Sequence, residues 1–102
     1  MRNYLELLAA AAQQDFQRVV TGFLLDARPK GERIRAAIFS DLLNRFEDGE
    51  TFTTSRILET YLEGRYTLVV TQSGSCYVIV SQLMFIEDIL DGVPQTVILR
   101  AS

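Results

Sequence analysis

Few residues in this chain could do chemistry. They are two carboxylate clusters (Glu47-Asp48-Glu50 and Glu87-Asp88-Asp91), one cysteine (Cys76), the Ser73-Gly74-Ser75 turn, and one basic run from Arg28 to Arg35. The chain has no histidine, so the commonest general base and metal ligand is missing. Ser-His-Asp and Cys-His nucleophiles cannot be built from it, and neither can the usual structural zinc sites. A hard cation or an acid–base pair would need carboxylates that converge. Neither cluster has the spacing of a calcium loop, and both fall at element ends, where solvated acids are ordinary. Cys76 sits in an apolar run and reads as an inert packing thiol. Ser73-Gly74-Ser75 lacks the pattern of a phosphate loop, and no helix follows it. No catalytic residue, metal or cofactor is expected, and the reading is a non-enzymatic protein.

What remains is binding. The run Arg28-Pro29-Lys30-Gly31-Glu32-Arg33-Ile34-Arg35 carries four positive residues and one negative. Arg28, Lys30, Arg33 and Arg35 could meet a phosphate or an acidic partner; the plainer reading is a solvated loop. Thirteen acids against ten bases leave a net charge of -3. That balance disfavours a nucleic-acid binder, since neutralised phosphates supply most of such affinity. A small DNA- or RNA-associated regulator using this patch is therefore the alternative reading. Glu47, Asp48 and Glu50 could be presented to a basic groove on a protein partner. No apolar run reaches the roughly 18 residues that span a bilayer. With one cysteine there is no disulfide framework, and a cytoplasmic location without membrane attachment is expected.

The elements that must position these residues suggest an α+β domain, single over 1–102. Tyr4, Leu7, Leu8, Ala11, Ala12, Phe16, Val19, Val20, Phe23 and Leu24 step by threes and fours, which predicts one long helix. Glu32 to Phe46 reads as a second, with Ile34, Ala37, Ile38, Phe39, Leu42, Leu43 and Phe46 on its stripe. The Pro29-Gly31 link makes residues 1–47 an antiparallel helical hairpin. Residues 51–102 read as a small antiparallel β-meander with a short helix. Between Ser55 and Gly64 the signals conflict. Ile57, Leu58, Tyr61 and Leu62 fit a helical turn capped by Ser55 and stopped at Gly64. Leu58 to Leu62 is favoured instead as a strand turning at Glu63-Gly64 into Tyr66. Leu83, Ile86, Ile89 and Leu90 suggest a short helix closed by Asp91-Gly92, and Thr96 to Leu99 a last, edge strand.

The run Tyr66 to Val80 permits a sharper expectation. A two-residue turn would leave both faces of this hairpin mixed. A three-residue loop Gln72-Ser73-Gly74, with Gly74 left-handed as a bulge, shifts the parity by one. Tyr66, Leu68, Val70, Cys76, Val78 and Val80 then share a wholly apolar face that meets the helices. The opposite face, with Val69, Tyr77 and Ile79, is the first place to seek a partner. Apolar residues make up 48% of the chain, more than so small a domain readily covers, and this favours a homodimer.

Asp48-Gly49-Glu50-Thr51-Phe52-Thr53-Thr54-Ser55, followed by Thr71-Gln72-Ser73-Gly74-Ser75-Cys76-Tyr77, resembles a pattern in short uncharacterised bacterial and phage proteins. The resemblance covers about a third of the chain and carries turn chemistry, so it transfers no functional residue. It implies a phage or mobile-element origin, where small acidic proteins act by occupying a host complex, anti-CRISPR inhibitors among them. The leading expectation is a protein-interaction module of that kind, acting by steric occlusion.

Overall fold

The structure is a computed structural model that describes residues 4–90 and 93–101, with side chains described from residue 4 to residue 83. The only helix among the described residues is α1 (Tyr4–Ala12). Eight strands follow: β1 (Gly22–Lys30), β2 (Arg33–Phe39), β3 (Glu50–Thr53), β4 (Ile57–Glu63), β5 (Tyr66–Thr71), β6 (Cys76–Ile79), β7 (Gln82–Leu90) and β8 (Val93–Ala101). The expected helical hairpin is absent and the chain is mostly sheet. No helix among the described residues is long and apolar enough to cross a membrane.

The order β3-β2-β1-β6-β5-β4 puts β3 and β4 at opposite ends of a six-strand path. Laid flat, those ends would stand about 24 Å apart. The three residues Thr54 to Arg56 join them, a span of at most about 14 Å. The sheet must therefore curl until its ends meet through the chain itself. Along this path pairing is antiparallel except between β1 and β6, so β3 and β4 run in one direction, as a single strand bent at the corner. Five alternating rods then close with first and last parallel, as an odd number requires.

The curl explains the misread helices. Leu24, Ala27, Ala36, Ile38, Phe52, Val69, Tyr77 and Ile79 fill the concave side. Ala11, Leu25, Leu68, Cys76, Val78 and Val80 are buried on the convex side, where Leu7 and Leu8 of α1 pack with Phe16, Val20, Phe23 and Phe39. A strand buried on both faces shows an apolar run rather than alternation, and runs of this kind match a helical stripe by chance. Thus Phe23-Leu24-Leu25 and Ala36-Ala37-Ile38-Phe39 lie in strands. The helix does keep the four alanines, which have the best helix propensity, and it ends with them.

The expected hairpin register holds. Val70 pairs Cys76, Val69 pairs Tyr77 and Leu68 pairs Val78. Thr71 N–H donates to Ser75 O, Gly74 N–H donates to Thr71 O, and Gly74 has φ +88°. The loop is Gln72-Ser73-Gly74, with its left-handed glycine. Leu58 to Leu62 also forms the strand that the Glu63-Gly64 turn implied. The short helix expected after Val80 is strand β7, paired to β8 from Gln82↔Ala101 to Leu90↔Val93; Asp91-Gly92 lies outside the described residues.

Proline explains how β1 ends. Pro29 faces Ile34 across the β1–β2 ladder. Ile34 turns its own polar groups away, donating to Thr54 Oγ1 and accepting from Thr54 N. The missing proline N–H therefore costs the β1–β2 ladder nothing. On the other edge, Ala27 N–H donates to Ser81 O where Ala27 pairs Gln82 in parallel with β7. The next donor in that ladder would be Pro29, which has none. The β7–β8 hairpin consequently leaves the body there as an arm. A radius of gyration of 14.6 Å and extents of 49 × 31 × 26 Å agree with this, since a compact chain of this length has a radius near about 13 Å.

Candidate functional site

Three polar assemblies are built by this fold, and two of them are structural. The first centres on Asp41, in the loop between β2 and β3. Ser40 and Asn44 have positive φ there, so Glu32 to Phe46 cannot be helical throughout. The Asp41 side chain is 1% exposed. Its carboxylate accepts from the backbone N–H groups of Leu43, Arg45 and Phe46 and from the Arg45 guanidinium. Arg45 in turn donates to Tyr77 Oη at 3.0 Å. Burial alone would raise the Asp41 pKa; the hydrogen bonds from Arg45 and the loop backbone outweigh it and hold the carboxyl below its ordinary range. Sequence reasoning passed over Asp41 as one acid on a charged helix face. The available signal was an aspartate opening a turn just past an apolar run.

A hydroxyl network fills the corner. Ser55 Oγ donates to Ser73 Oγ and accepts from Ser73 N–H; Thr71 Oγ1 lies 3.0 Å from Ser73 Oγ and accepts from Ser75 N–H. Gln72 N–H donates to Arg56 O. The two runs that resemble phage proteins are thus the two sides of one joint, which fastens the bent β3–β4 strand to the β5–β6 turn. Every hydroxyl in it serves a neighbour, and nothing there activates a nucleophile. Cys76 is buried, and burial pushes its thiol above the ordinary value. Burial and the nearby Cys76 thiol raise the Tyr61 phenol too. A protonated, enclosed thiol is a poor nucleophile.

The proposed partner face does not survive. Val69, Tyr77 and Ile79 share a face as expected, but they are 1%, 2% and 9% exposed and line the concave core. The physical reason is the curl, which turns that face inward. Glu47, Asp48 and Glu50 are exposed in the β2–β3 loop. Asp48 Oδ1 accepts from Ser40 N–H, and Glu50 Oε2 accepts from Glu47 N–H, so two of these three acids hold the loop together. Among the described residues no group of three His, Cys, Asp or Glu is placed to hold a metal ion.

The third assembly is basic. Arg28 pairs Arg35 and Lys30 pairs Arg33 across β1–β2. Positions two apart along a strand share a face, so all four cations of the run stand on one face. That face is the convex one, because Ile34, Ala36 and Ala27 point into the concave core. Arg35 donates to Thr53 Oγ1 and Arg28 to Asp26 O. Glu32, the one acid of the run, is paired with Arg56. Comparison with protein-family models, curated proteins and solved structures found no match, so any functional reading of these surfaces rests on their own geometry.

Proposed function

We propose that this chain is a non-enzymatic protein-interaction module that self-associates through its β7–β8 arm. The observation that carries the reading is the arm's attachment: its ladder to β1 stops at Ala27↔Gln82, next to Pro29. A two-stranded ribbon is marginal in water by itself. Consecutive rungs of this one, Met84↔Leu99, Phe85↔Ile98 and Ile86↔Val97, are apolar in residue type. With two-residue alternation, both faces of the ribbon carry apolar positions and both ask for cover. The outer edge of β8 pairs with no strand among the described residues, and the run Gln95-Thr96-Val97-Ile98-Leu99 holds neither charge nor proline to protect it. A second copy fits best: identical strands pair antiparallel about a two-fold axis and close the assembly.

Light scattering on the full chain tests this, with a dimer expected at micromolar concentration and a monomer for Ile98→Lys of unchanged far-UV circular dichroism. A wild-type monomer even at millimolar concentration would sink the reading. The resemblance to phage proteins supports a more specific form, occlusion of a host defence complex. Purified dimer would then suppress the nuclease activity of such a complex; full activity at saturating protein removes that form.

A further inference from the structure

We infer that the convex end of β1–β2 is a binding site for the phosphodiester backbone of single-stranded nucleic acid. Arg28, Lys30, Arg33 and Arg35 form two adjacent like-charge rungs, an arrangement that opposes pairing. None of the ion pairs Arg18–Glu59, Arg45–Asp41 and Arg56–Glu32 joins one of the four cations to a carboxylate among the described side chains. Lys30 and Arg33 are exposed, and Arg28 and Arg35 are half-buried. Glu32 is drawn aside to Arg56. The net charge of -3 is a total over the chain and hides this local run of four cations.

The form of the stripe narrows the ligand. Its two rungs span about 7 Å along the strands and about 5 Å across, room for a phosphate or two on one strand. On the convex side α1 packs through Leu7 and Leu8 against Leu25 and its neighbours. Among the described residues the stripe itself is a strand pair within the sheet rather than an element projecting into a duplex groove. An acidic peptide would deliver its carboxylates in register most readily by adding a strand. Both edges of β2 are occupied, by β1 and β3. On the outer edge of β1, beyond Ala27↔Gln82, Pro29 has no N–H to offer an added strand. A phosphodiester carries its charges on its own backbone and needs no free edge. Three of the four cations are arginines, whose forked donors suit phosphate oxygens. No aromatic ring belongs to the stripe, so binding is blind to base sequence.

The test is fluorescence anisotropy of labelled oligo-dT with the full chain at several salt concentrations. Four contacts at about -0.7 per phosphate give a log–log salt slope near about -3, and a loss of about fifty-fold between about 50 and about 200 mM salt. Lys30→Gln with Arg33→Gln should reduce the slope by about 1.4 and weaken binding at least about tenfold at the lower salt. Both side chains are exposed, and removing like charges leaves the fold intact, which an unchanged melting temperature verifies. An unchanged slope in the double variant, equal affinity for a duplex, or equal affinity for polyglutamate overturns the inference.

Discussion

Replacing Asp41 with alanine is the most informative perturbation of the fold. The carboxylate accepts three backbone N–H groups and two guanidinium contacts from a side chain 1% exposed. Removing the acceptor strands the Leu43, Arg45 and Phe46 donors, and each buried unsatisfied group costs about 1–3 kcal/mol. Arg45 is 38% exposed and recovers water, so its share is small. The expected sum is about 2–4 kcal/mol, against a total stability of about 5–15 kcal/mol for this length. Thermal unfolding by circular dichroism should show a drop of about 10–20 °C. Arg45→Ala removes the guanidinium and spares the backbone bonds, so it should cost less, and Tyr77→Phe, which loses one hydrogen bond, less again. A drop under about 3 °C for Asp41→Ala, or a larger effect from Arg45→Ala, would refute the claim that this carboxylate organises the loop.

The same group sets a pH dependence. Its folded pKa lies below the ordinary carboxylate range, so its stabilisation is complete above that range and is lost as pH falls through it toward the folded pKa. Urea titrations should show less acid sensitivity in Asp41→Asn than in wild type. Gly22→Ala places a Cβ 3.0 Å from Ile38 Cδ1 in the core, and overpacking of about 1–3 kcal/mol should appear as a lower urea midpoint. Gly74→Ala meets no atom within 4 Å but keeps φ +88°, so its cost of about 1–2 kcal/mol is conformational. Pro29→Ala should lengthen the β1–β7 ladder, seen as a residue 29 amide that exchanges far more slowly than an unstructured amide of the same sequence.

Sequence legibility followed burial. The β5–β6 register was readable because one parity alone gathers Leu68, Val70, Cys76 and Val78 on a common face, and only a loop with Gly74 left-handed delivers it. Strand β4 was readable from its turn. The stretch from Phe16 to Phe46 was not, because Leu24 and Leu25, or Ala36 and Ala37, are buried on opposite sides of one sheet. Local pattern cannot separate that case from a helix. The burial of Val69, Tyr77 and Ile79 depends on a corner at Thr54 to Arg56 that joins distant strands, and no window of sequence contains it. The basic stripe was visible as a run; that its four charges share a face required the hairpin at Gly31, where φ is +61°.

The parallel seam between β1 and β6 also bears on how the molecule folds. Phe23 meets Val78 across it, whereas every other ladder joins strands that follow one another closely in the chain, apart from the single bridge to β7. The meanders β1–β2–β3 and β4–β5–β6 contain only short loop closures, which are fast and entropically cheap. The seam needs both, so it forms last and opens first. Leu24 O accepts the amides of both Val80 and Ser81 on that line, and Ala27 N–H donating to Ser81 O is the next contact toward the arm. An excursion that parts the seam therefore frees the arm from the body without melting either meander.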